Sequence, residues 1–163
     1  MRWIIAVCLV LVLSGCDGHI LTTLSGKRDR VCFKDVPSDQ LPLAQVAVKL
    51  AYRAWQIPEQ PVFVDGFCNV EITFLGRLID DGEQVVVGRY YPNLWLWTPL
   101  LEVSLVAGNP FETLVHEIGH WMGLRYGSGA IHNPNPFSIM HGKYFDGQLL
   151  LPEDIYRMGM ARN

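Results

Sequence analysis

Charge is scarce in this 163-residue chain and is not patterned: 13 basic and 16 acidic residues leave a net charge of −3, with no long run of either sign. A polyanion binder needs a basic patch or stripe, so no nucleic-acid partner is expected. Long hydrophobic runs are missing too. The apolar stretch Trp3 to Leu13, with one cysteine in it, is too short to cross a bilayer comfortably. Cysteine is limited to four residues, and internal repeats and low-complexity segments are absent. What is present suits one folded unit: the length is about one domain's worth, and 50% hydrophobic residues suffice for one core.

The N-terminus reads as an export signal rather than as part of the fold. Met1-Arg2 supplies a positive start, the apolar run follows, and small residues close it at Leu13-Ser14-Gly15-Cys16. These last four residues resemble the lipobox of bacterial lipoproteins. The resemblance implies a signal peptide over residues 1–15, cleavage before Cys16 and a lipid on that cysteine, which would tie the chain to a membrane. Asp17 resembles the inner-membrane retention signal of enteric-type lipoproteins, which implies the periplasmic face. An ordinary signal peptide cut nearby is the plainer alternative. Residues 16–30 then read as a tether, with His19 the histidine least suited to be a ligand, and residues 31–163 as the domain. Cys8 leaves with the signal and Cys16 takes the lipid, so Cys32 and Cys68 remain. In an oxidising compartment two remaining cysteines suggest a disulfide. Two buried free thiols are the alternative; an inhibitory Cys32 thiolate on a metal is disfavoured by the short segment before it.

Leu43, Val46, Ala47, Leu50, Ala51 and Ala54 recur at three and four residues, the stripe of an amphipathic helix backing a sheet. Pro42 suits its first turn, Ser38 or Asp39 its cap, and Ile57 before Pro58 its end. Tyr52 and Trp55 are expected in the core or at its rim. Strand-like runs follow at Val70–Phe74, Gln84–Tyr91, Leu94–Thr98 and Leu101–Val106, with turns at Asp80-Asp81-Gly82 and Tyr91-Pro92-Asn93. Trp95 and Trp97 share one face of their run, as core packing or as the wall of a groove. The class is α+β.

The stretch with chemistry is Thr113 to Tyr126, T-L-V-H-E-I-G-H-W-M-G-L-R-Y. His116 and His120 lie four apart, so on a helix both imidazoles face one way and reach one ion, with Glu117 beside it. Zinc suits neutral imidazole, keeps a position open for water at catalytic sites and acidifies that water for a neighbouring carboxylate. Asn109 is a ready N-cap, Pro110 suits the first helical position, Glu112 stands where a capping-box partner would, and Gly123 offers a stop. A helix with merely packed histidines is the bland alternative.

Beyond a loop rich in Gly, Asn and Pro comes Ser138-Ile139-Met140-His141-Gly142-Lys143-Tyr144. His116-Glu117-Ile118-Gly119-His120-Trp121-Met122-Gly123 followed by Ser138-Ile139-Met140 resembles a metzincin metalloprotease of the matrixin-like branch. The resemblance implies a zincin core: a small twisted, mostly parallel sheet backed by helices, an active-site helix, a methionine turn at Met140 and a last helix from Pro152-Glu153-Asp154-Ile155. It implies one catalytic zinc, a protein or peptide substrate, Glu117 as general base, and Tyr144 walling the substrate pocket. One position departs from the pattern. Tyr126 stands where the third ligand belongs, and a phenol titrating near 10 is a poor zinc ligand. His132 in the following loop is the first candidate to replace it. Tyr126 itself and His141 stay open, His141 reading better as a group that packs or hydrogen-bonds near the site. Tyr126, Tyr144 or His141 could donate to an oxyanion. No acidic cluster or extra histidine suggests structural calcium or a second zinc. Two rival functions remain: an inactive zinc-binding envelope module, and hydrolysis of a non-protein amide in cell-wall peptide.

Overall fold

The computed structural model of the chain describes residues 28–76, 87–92, 98–144 and 147–162. The signal segment, Cys16 and most of the tether lie outside these residues, as do the turn at Asp80–Gly82, residues 84–86 of the second strand-like run, and Trp95 and Trp97. Strand β1 spans Arg30–Phe33, helix α1 Leu41–Ala54, β2 Val62–Phe63, β3 Val70–Leu75, β4 Gly88–Tyr91, β5 Leu100–Ser104, helix α2 Pro110–Trp121, a 3-10 turn Gly127–Gly129 and helix α3 Pro152–Arg162. The strands form one sheet in the order β2-β1-β3-β5-β4, parallel except where β4 runs antiparallel to β5. Thus the architecture is α+β with a mostly parallel five-stranded sheet. Among the described residues no helix is long and apolar enough to cross a membrane.

Register decides what faces the helices. Val31 pairs with Val70, Phe33 with Ile72, Ile72 with Leu101 and Phe74 with Val103, so the alternating apolar set lies on one side of the sheet. Gly88 and Tyr90 of β4 are in register with Val103 and Leu101, which puts them on that same side. Against this face pack Val48, Ala51 and Tyr52 of α1, Trp55 at its C-cap, and Leu114, Val115 and Ile118 of α2. The two helices are joined at their crossing by Trp55, whose buried Nε1–H donates to the Val115 carbonyl at 2.9 Å.

Helix α1 departs from its expected form. Leu43, Val46 and Leu50 are exposed by 73%, 50% and 45%, whereas Ala44, Val48, Ala51, Tyr52 and Trp55 are buried. The helix is apolar on more than one side, and the side with two large aromatics takes the core because it buries the most area. Its N-cap is Gln40, not Ser38 or Asp39, and makes no side-chain cap bond. It also stops before Ile57: Gln56 adopts φ +57°, and the Ile57 N–H turns back to the Tyr52 carbonyl at 2.9 Å. Strands β1 and β2 are additions to the expected set. Just ahead of β1, Asp29 is buried and accepts from the Tyr52 hydroxyl at 3.0 Å and from Arg162 at 3.2 Å.

Cys32 of β1 and Cys68 are joined by a disulfide, closing a loop with a sequence separation of 36 that contains all of α1. Replacing both cysteines by serine should lower stability by about 2–4 kcal/mol, read from urea midpoints, with the metal-binding stoichiometry retained.

Candidate metal centre

Helix α2 is specified at both ends by local chemistry. The Asn109 side chain accepts from the N–H groups of Phe111 at 3.0 Å and Glu112 at 3.5 Å, and its amide donates to Glu112 Oε1 at 3.0 Å. Pro110 occupies the first turn, and Gly123, at φ +77°, takes the left-handed conformation that ends the helix. A further clamp holds the start: the Tyr144 hydroxyl accepts the Asn109 N–H at 2.9 Å and donates to Glu112 Oε2 at 3.4 Å.

From this helix His116 and His120 bring their Nε2 atoms to 2.8 Å, and His132 places its Nε2 3.1 Å from that of His120. Ligands on a tetrahedral ion at imidazole bond lengths would stand about 3.3 Å apart, close to the two separations from His120, and the three nitrogens all lie within 4.8 Å of one another. The His116 Nδ1–H donates to the Ile139 carbonyl at 2.6 Å, which leaves its Nε2 lone pair turned to the cluster. Three imidazole nitrogens therefore converge, and they could hold a metal ion.

The path from the helix to His132 runs through a small closed loop. After Gly123 the chain enters a closed excursion: the Tyr126 N–H donates to the Ala130 carbonyl at 2.7 Å and the Gly129 N–H returns to Tyr126 at 2.9 Å. Beyond this small loop His132 emerges beside the two helical histidines. Tyr126 is not among the converging groups. Its hydroxyl donates to buried Asp154 at 2.6 Å, and burial followed by that carboxylate pushes its pKa up. His141 is held by its own turn, Nδ1 contacting the Lys143 carbonyl and N–H at 3.1 and 3.3 Å. Neither belongs to the group of three converging nitrogens.

Three glycines, none of them anticipated as functional, make room for the centre. Met140 is fully buried under the helix with its sulfur against Gly119, where a Cβ would collide with it. At Gly142 a Cβ would stand 3.0 Å from His132 Nδ1, and at Gly88 one would stand 2.6 Å from Glu117 Oε1. Gly119 carried a signal, because glycine inside a helix costs about 1 kcal/mol against alanine and calls for a packing reason. Tyr90 of β4 also went unanticipated; its ring stacks on His120 with centroids 6.4 Å apart.

Desolvation sets the protonation of the metal-free cluster. It lowers His116 to about 4, the Ile139 carbonyl opposing it, and lowers His120 to about 2, helped by the neighbouring histidines and Arg125. His132 is lowered by burial and then by His141. The histidines are thus neutral and ready to ligate at neutral pH. Glu117 moves the other way, to about 8, because burial penalises its charge, and its Oε2 is buried without a partner.

These shifts give the metal-free protein a pH optimum. Between about 4.5 and 6.5 the unfolded chain holds protons on His116 and His120 that the folded one lacks, outweighing the single extra proton on folded Glu117, so stability rises with pH. From about 6.5 to 8 only the folded-state proton on Glu117 counts, so stability falls. Urea midpoints in chelator should peak near the crossover, and Glu117→Gln should flatten the alkaline side. Gly142→Ala, which crowds His132, should weaken metal binding about tenfold in a chelator-competition titration. No family model and no curated protein matches the chain.

Proposed function

We propose that the protein is a zinc-dependent metalloendopeptidase of the metzincin type, matrixin-like, with His116, His120 and His132 holding the ion and Glu117 as general base. The observation that carries this reading is the buried, partnerless Glu117 Oε2 on the helix that supplies two of three converging imidazole nitrogens. A bound zinc would polarise a scissile carbonyl and bring the pKa of a water down to about 7. Glu117 then accepts the proton of the attacking water and passes it to the leaving amine. Its metal-free pKa of about 8 falls when a dication stands nearby, towards the range where one carboxylate can do both.

Other features support the family reading. Met140 lies beneath the helix of the first two ligands, and α3 begins at Pro152 with Glu153 and Asp154 in its first turn. Tyr144 would wall the substrate pocket with its ring, since its hydroxyl is engaged at the start of α2. Among the described strands β4 is an edge, and an extended peptide could add to it beside the histidines. The Cys32–Cys68 disulfide suits an oxidising envelope compartment, in keeping with a Cys16 lipid anchor on the periplasmic face of the inner membrane. The inactive-module alternative drew its support from Tyr126, and His132 beside the other two histidines weakens that support.

Glu117→Gln should retain zinc in metal analysis while losing casein cleavage by about 10²–10⁴-fold; retained cleavage would remove Glu117 as the base. Parallel incubation with purified wall fragments, with and without chelator, separates protein from wall-peptide hydrolysis. Cleavage of neither substrate at full zinc occupancy would favour the inactive module.

A further inference from the structure

We infer that Asp154 and Tyr126 act together as positioning residues for the third ligand. The tyrosine at the position where a histidine would have ligated has become part of a clamp that delivers His132 instead. The inference rests on the metal-site reading above.

Asp154, in the first turn of α3, is fully buried and accepts four hydrogen bonds. Oδ1 takes the Tyr126 hydroxyl at 2.6 Å and the Asn133 amide at 2.9 Å; Oδ2 takes the Ser138 hydroxyl at 2.8 Å and the Leu151 N–H at 2.9 Å. The donors come from four different stretches. Tyr126 opens the excursion before His132, and Asn133 follows His132 directly, so the carboxylate brackets the ligand on both sides in sequence. Ser138 opens the turn that carries Met140, and its Oγ accepts the Met140 N–H at 3.0 Å. The Asn133 N–H reaches the Met140 carbonyl at 2.9 Å, which straps the two segments together. Between Ser138 and Met140 lies Ile139, whose carbonyl orients His116. One carboxylate thereby sets the position of His132 relative to both the methionine and the first ligand.

The four donors fall two on each carboxylate oxygen. A buried carboxylate is acceptable when its lone pairs are filled by hydrogen bonds, and those bonds are short and strong. An asparagine at 154 would point an amide at donors on one side, and a phenylalanine at 126 would keep the ring while deleting one bond.

Cobalt(II) substituted for zinc is the probe, because its visible spectrum reports ligand number and geometry independently of catalysis. Tyr126→Phe should bind cobalt about 10–100-fold more weakly, with a saturated spectrum shifted towards that of His132→Ala. Asp154→Asn should do the same more severely. Should that variant not fold, Asn133→Ser deletes one donor and leaves the carboxylate in place, and the same weakening is expected. Urea midpoints in chelator report the fold separately. Parental cobalt affinity and spectrum in Tyr126→Phe and Asn133→Ser, whatever their stability in chelator, would overturn the clamp and leave these residues structural. If His132→Ala itself bound cobalt as tightly as the parent, the ligand assignment would fall, and the clamp with it.

Discussion

Three imidazole nitrogens within 4.8 Å of one another could share a cation, and the surrounding structure holds them there in their uncharged form. Burial removes the protons that would drive them apart, and a backbone carbonyl turns the His116 ring so that its lone pair faces inward. Capping by Asn109 and the stop at Gly123 make the carrier helix stiff at both ends. The clearances at Gly119 and Gly142 let Met140 and His132 approach without side chains in the way.

The sheet contributes on the same principle. Its antiparallel edge strand presents Gly88 and Tyr90 on the helix side, so that one residue leaves space for Glu117 and the other covers His120. A buried carboxylate oxygen without a partner is costly, and native structures rarely keep one without use. In the proposed peptidase that cost corresponds to the base waiting for its proton.

How much was legible depended on how local the cause was. The α2 helix, its cap and its stop follow from Asn109, Pro110, Glu112 and Gly123, all acting within a few residues, and the spacing of His116 and His120 on one face is a property of any helix. In α1 the apolar pattern admitted two faces, and the aromatic side took the core for reasons of buried area that no periodicity expresses. Strand β2, two residues long, carries almost no pattern to read. Asp154 in a first turn looks like an ordinary helix-dipole partner; three of its four donors, Tyr126, Asn133 and Ser138, come from distant parts of the chain.

Local sequence was therefore sufficient for His116 and His120 on one face, for Glu117 beside them and for the helix that carries them, because each depends on contacts a few residues apart. The gathering of His132, rather than Tyr126 or His141, beside that pair belongs to the folded chain. It depends on a loop closing between Tyr126 and Ala130 and on a carboxylate 22 residues beyond His132 gathering donors from separate segments, and the free energy of such contacts is defined only once the chain has packed.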